Sequence, residues 1–221
     1  MIRKVLLLTG IMIIIIVGVL IYQNFIKEKG DSFSLLESSM SEKTLQGKKI
    51  AMVIAFRDFR DEEYFIPKEI LQGAGAEIKT VSNQMGTAIG ADGGEAEVNL
   101  LISEINSADF DAVVFIGGPG ALKYLDNENS YRVAKETISQ NKVLASICIS
   151  PVILAKAGVL EGKKATVWSS SLDRGPVKVL KSNGAIYQDR PVVVDEKIIT
   201  GNGPAAAREF GGKIIELLTK K

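Results

Sequence analysis

From Lys49 onward the chain alternates short apolar runs with amphipathic stretches, and that alternation leaves few folds open. Ile50-Ala51-Met52-Val53-Ile54-Ala55 and Ala112-Val113-Val114-Phe115-Ile116 contain no polar residue, and Val143-Leu144-Ala145-Ser146-Ile147 contains one. A strand with one wet face alternates polar and apolar residues, so a continuous apolar run needs cover on both faces. Helices between the strands supply that cover. Helical spacing is read over residues 61–74, 133–140, 151–157, 173–182 and 205–218. Pro176 falls in the first turn of its helix, where a missing N–H is tolerated. Further strands are read at 77–82 and 165–168. A Gly-rich hairpin or excursion is expected over 86–98, and a hairpin of 192–194 and 198–200 around Asp195-Glu196-Lys197. The expected fold is α/β, with a mostly parallel sheet covered on both faces and right-handed crossovers.

The segment before this domain differs in kind. Val5 to Tyr22 carries no charge over 18 residues. At about 1.5 Å per residue that nearly spans a hydrocarbon core of roughly 30 Å, and Phe25 and Ile26 extend it. A cleaved signal peptide is the alternative, but no small-x-small cleavage site follows cleanly. Residues 1–26 are therefore read as a single-pass signal-anchor, 27–47 as a polar linker and 48–221 as the folded domain. Arg3 and Lys4 flank the near side, whereas Glu28 and Asp31 offset Lys27 and Lys29 on the far side. This bias favours an inside N-terminus and an extracytoplasmic domain.

Net charge is +1, from 27 basic against 26 acidic residues, which gives no long-range field for nucleic acid. One cysteine forbids an internal disulfide, and the absence of histidine removes any Cys/His zinc site. No acidic cluster with ligand spacing stands out, so neither metal nor cofactor is expected.

In a parallel sheet, ligands bind at the carboxyl ends of the strands. Three turns fall there: after Ala55, at Gly117-Gly118, and at Cys148. Cys148 follows a buried strand and precedes Pro151, with Ser146 and Ser150 two residues to either side, as a strained strand-to-helix elbow requires. A helix N-terminus beyond it would lower the thiol pKa and hold an anion. A buried core thiol is the plain alternative. Gly117-Gly118 could present N–H groups to an oxyanion, or be an ordinary turn. Glu63 opens the first helix, where an acidic residue complements the helix dipole.

Ser-Ile-Cys-x-Ser-Pro after a buried strand, Gly-Gly after the strand before it, and Glu-x-x-x-Pro in the first helix together resemble the PfpI family. That family lies in the DJ-one/PfpI branch of the class I glutamine amidotransferase-like superfamily. The resemblance runs from about Lys48 to Leu218 and includes the Gly201-Asn202-Gly203-Pro204 turn. It implies a flavodoxin-like three-layer sandwich with Cys148 at the elbow. It implies that Glu63 hydrogen-bonds and tunes the thiol, and that the N–H groups of Gly118 and Ile149 are oxyanion donors. A homo-oligomer is expected on the same ground. Gly117 and Trp168 are expected in the pocket.

The departures narrow the chemistry. Family peptidases carry histidine directly after the cysteine, where this chain has Ile149, and other branches carry one about 20 residues on, where it has Trp168. A Cys-His dyad is impossible within this chain, and peptide hydrolysis loses most from that. Chemistry on small carbonyl compounds or glycated groups, in a stress response, asks less of a base. A redox sensor or binding module is the competing reading.

Overall fold

The computed structural model describes residues 44–220. The membrane segment expected over 1–26, and the linker up to residue 43, lie outside the described residues. Among the described residues no helix is long and apolar enough to cross a membrane. Packing begins slightly earlier than Lys48. Leu45 is fully buried, and its N–H donates to the Ala74 carbonyl at 2.8 Å.

Seven strands form the main sheet: β1 (Lys49–Ile54), β3 (Glu77–Ser82), β6 (Leu100–Leu101), β7 (Ala112–Phe115), β8 (Val143–Ile147), β11 (Val192–Asp195) and β12 (Ile198–Gly201). Their order is β11-β12-β8-β7-β1-β3-β6. Every neighbouring pair is parallel except β11 with β12, which form the expected hairpin.

Successive residues of the central strands enter opposite cores. Ala51, Val53, Val113, Phe115 and Leu144 face one side; Ile50, Met52, Ile54, Val114 and Ile147 face the other. The first core is closed by α3 (Glu128–Ser139), α4 (Pro151–Lys156) and α5 (Gly175–Ser182). The second is closed by α1 (Asp61–Gly73) and α6 (Ala207–Thr219). A Cβ on Gly211 would stand 3.3 Å from the Pro67 Cα, which is how closely the backbones of α1 and α6 approach. A one-turn helix, α2 (Ala121–Tyr124), follows β7.

Two short sheets lie outside this frame. The Gly-rich excursion is the antiparallel pair β4 (Gly86–Gly90) and β5 (Glu95–Val98), and β4 pairs in parallel with β2 (Arg57–Phe59). The strand read at 165–168 is shorter than expected. Only β9 (Lys164–Ala165) pairs, with β10 (Ile186–Tyr187). Beyond it the Thr166 N–H donates to Thr200 Oγ1 and the Trp168 N–H to the Cys148 carbonyl. Those residues strap the elbow instead of extending a sheet.

The chain runs from β1 outward to β3 and then returns to place β7 on the other side of β1. Such a reversal opens a crevice at the strand carboxyl ends. The segments after β1, β7 and β8 all end there.

Candidate active site

Three consecutive acidic residues open α1, and their roughly 100° helical separation sends them in different directions. Glu62 is exposed. Asp61 turns to the β4–β5 hairpin and accepts the N–H groups of Asp92 at 2.8 Å and Gly94 at 2.6 Å. Glu63 turns inward, is fully buried, and accepts the Gly117 N–H at 3.1 Å through Oε2. In return the Arg60 N–H donates to the Gly117 carbonyl at 3.0 Å. The start of α1 and the loop after β7 are thus clasped in both directions.

That loop can approach only because of its glycines. A Cβ on Gly117 would meet Cys148 Cβ at 2.5 Å and Glu63 Oε2 at 2.7 Å. Gly118 has φ +110°, and a Cβ there would lie 2.4 Å from the Arg60 nitrogen. Both close contact and left-handed backbone require glycine at 118.

Cys148 itself has φ 65°, a left-handed conformation uncommon outside glycine. Its N–H donates to the Gly201 carbonyl at 2.9 Å, and the Ser150 hydroxyl donates to the Ile116 carbonyl at 2.7 Å within the core. These bonds tie the elbow to β12 on one side and β7 on the other. The bend sets the side chain beside the Glu63 carboxyl, whose Oε2 takes the Gly117 N–H and whose Oε1 has no hydrogen-bond partner among the described residues, and near the N–H groups of Gly118 and Ile149.

The electrostatics reverse one expectation. A helix N-terminus beside the thiol predicts a lowered pKa. Instead burial, followed by the neighbouring Glu63 carboxylate, pushes it up to about 12. The two N–H donors oppose this without overcoming it. The helix is a poor source of positive potential: α4 has only six residues and opens with Pro151, which has no N–H. Burial also raises the Glu63 carboxyl to about 7, against the neighbouring thiol and the Gly117 N–H bond, which lower it. Two anions cannot share this site cheaply, so the pair keeps one proton near neutrality.

A pocket of about 270 Å³ opens over the sulfur. Pro119, Leu122, Ile149 and Trp168 form its apolar wall, and Gly118 and Cys148 lie at its inner surface. Cys148 is 8% exposed, enough to meet a small molecule there. Of the residues singled out in the sequence, Cys148, Gly118, Ile149 and Trp168 line the pocket. Gly117 and Glu63 stand behind the sulfur.

Arg60 also lines the pocket, and sequence reading did not single it out. Its Nη1 pairs with Asp92 Oδ2 at 3.1 Å. The available signal was its place directly before the acidic triplet that opens α1, in the segment that follows β1.

Residues 48–217 match the DJ-1/PfpI family. The chain belongs to the DJ-1/PfpI family. An uncharacterized protein of Methanocaldococcus jannaschii is 39% identical over 190 residues, covering 86% of this chain and 91% of that protein. A deglycase of Pyrococcus horikoshii is 30% identical over 167 residues, covering 76% of this chain and 98% of that enzyme. The crystal structure of a ThiJ/PfpI domain protein from Brachyspira murdochii superposes with a TM-score of 0.73 at 34% identity, covering 78% of this chain and 98% of that one. The fold is accordingly the flavodoxin-like α/β fold of DJ-1/PfpI proteins. Within that fold, the turns after β1, β7 and β8 bring Glu63, Gly117 and Cys148 into one site.

Proposed function

We propose that this chain is a cysteine-dependent enzyme acting on small carbonyl compounds or glycated groups, in the manner of a deglycase or glyoxalase. Cys148 is its nucleophile and Glu63 its proton carrier. One observation carries the reading: a fully buried carboxyl, raised to about 7 and with Oε1 unpartnered among the described residues, stands beside the sole thiol, which lines a pocket. A group poised near the working pH transfers protons well in either direction. The Pyrococcus horikoshii relative, named a deglycase, agrees with this class of chemistry.

In the proposed step, the thiol proton passes to the Glu63 carboxylate as sulfur bonds to the carbonyl carbon. The carbonyl π pair moves onto oxygen. The N–H groups of Gly118 and Ile149 receive that oxyanion, which then takes the proton back from Glu63 as a hemithioacetal forms. Glu63 supplies here what histidine supplies elsewhere, and this chain has no histidine. The same proposal tethers the domain to a membrane through residues 1–26 and sets it outside the cytoplasm. The charge-free run and its flanking charges support that part.

Turnover of methylglyoxal by the full-length chain and by Cys148→Ala tests the reading. Loss of activity by at least about 100-fold in the variant is expected. Equal rates would overturn it.

A further inference from the structure

We propose that Arg60 makes the pocket selective for carbonyl compounds carrying a carboxylate beside the reacting carbon. The proposal narrows the substrate class of the preceding reading and rests on it only for the identity of the reacting thiol.

The pocket is small, and Pro119, Leu122, Ile149 and Trp168 give it apolar walls. A compound of a few heavy atoms gains little from such walls, so one well-placed polar group decides which compound stays and how it lies. Arg60 is the only charged side chain lining the pocket among the described residues. Its backbone is fixed by the bond from its N–H to the Gly117 carbonyl, so the side chain departs from a defined point beside the turn after β7. It also stands close enough to feel the carboxyls of Glu62 and Glu63. An incoming anion therefore meets a cation first and the buried carboxyl only behind it.

Arg60 retains capacity for a ligand. Among the described residues its guanidinium makes one side-chain hydrogen bond, from Nη1 to Asp92. The side chains of that pair are 31% and 55% exposed, and ion pairs in water hold weakly. A substrate carboxylate could use the remaining N–H groups in a two-point contact, for which guanidinium is better suited than ammonium. Asp92 departs from an anchored turn. Its backbone is held by the bonds from Asp92 and Gly94 to the Asp61 carboxylate, and by the Gly90 N–H donating to Gly94. Its exposed carboxylate competes for Arg60 while leaving the guanidinium able to bind.

Trp168, the only tryptophan in the chain, lines the same pocket and reports occupancy by its fluorescence. The full-length chain is titrated at low salt with oxamate, an unreactive carboxylate with an adjacent carbonyl, and with the neutral hydroxyacetone. Saturable oxamate binding is expected, weakened at least about tenfold in Arg60→Gln, intermediate in Arg60→Lys, and tightened in Asp92→Asn. Hydroxyacetone should bind more weakly than oxamate. Equal oxamate affinity in wild type and both Arg60 variants, or weaker binding in Asp92→Asn, overturns the proposal. The opposite responses of Asp92→Asn and Arg60→Gln distinguish competition from misfolding. Alkylation by iodoacetamide, followed separately, judges the thiol. An unreactive Cys148 with Arg60-dependent oxamate binding removes the nucleophile reading and leaves the anion site standing. A reactive Cys148 without oxamate binding does the reverse.

Discussion

Gly117 and Cys148 are so close that a single methyl group on Gly117 would lie 2.5 Å from the Cys148 Cβ. The same methyl would lie 2.7 Å from Glu63 Oε2 and 2.9 Å from the Ile147 carbonyl. The φ of Gly117 is not left-handed, so the requirement for glycine is one of space and not of backbone conformation.

Gly117→Ala should therefore force the carboxyl and the thiol apart. Overpacking of this kind costs about 1–3 kcal/mol. Denaturant midpoints measure that loss, and iodoacetamide alkylation should slow at least about tenfold in protein that is still folded. Unchanged stability and alkylation would mean that the loop relaxes and that the contact with Glu63 does not govern reactivity.

The shared proton predicts a distinctive pH profile. The pair loses its first proton with the Glu63 carboxyl near 7. Above that pH the carboxylate can accept the thiol proton during attack, so alkylation should rise through about pH 7 and then flatten. Glu63→Gln should abolish the inflection and slow alkylation at pH 8, since a positioned base contributes roughly 10²–10⁴-fold. A faster reaction in Glu63→Gln at pH 8 would show that Glu63 only represses thiol ionisation by its charge.

The same carboxyl makes folding pH-dependent. Its pKa rises from 4.5 to about 7 on folding, so between those values the native state binds more protons than the unfolded chain. The stabilisation is fully present below about pH 4.5 and is lost as pH rises through about 7. By linkage the loss is on the order of 3 kcal/mol. Glu63→Gln escapes it while keeping an oxygen to accept the Gly117 N–H. Urea titrations should find the variant more stable than wild type at pH 8, with the gap closing toward pH 5. A pH-independent gap would mean that burial does not raise this carboxyl.

Much of this arrangement was legible before the structure. The apolar runs at 50–55, 112–116 and 143–147 became β1, β7 and β8 because a buried parallel strand leaves no position for a polar residue to face water. Cys148 and Gly117-Gly118 were readable as strand ends. Glu63 was not readable as a site residue from its spacing, since an acidic residue opening a helix has an ordinary use; only the family resemblance raised it. β2, β6 and β10 span three, two and two residues, too few for any period to show. Thr166-Val167-Trp168 look like strand because they are β-branched and aromatic, yet the N–H groups of Thr166 and Trp168 serve Thr200 and Cys148. Arg60 and Asp61 act through Asp92 and Gly94, more than 30 positions away, and no local pattern announces a pairing of that kind. The thiol environment is not legible in the sequence for a comparable reason: burial and a carboxyl from a distant helix outweigh the short turn that follows the cysteine.

The left-handed backbone at Cys148 has an evolutionary consequence. Glycine would adopt that φ with less strain, so drift toward a more comfortable residue at this position would relax the elbow and delete the sulfur in one substitution. Selection for stability and selection for the thiol therefore pull in opposite directions at a single codon. In a lineage that no longer used the sulfur, glycine is the replacement to look for first.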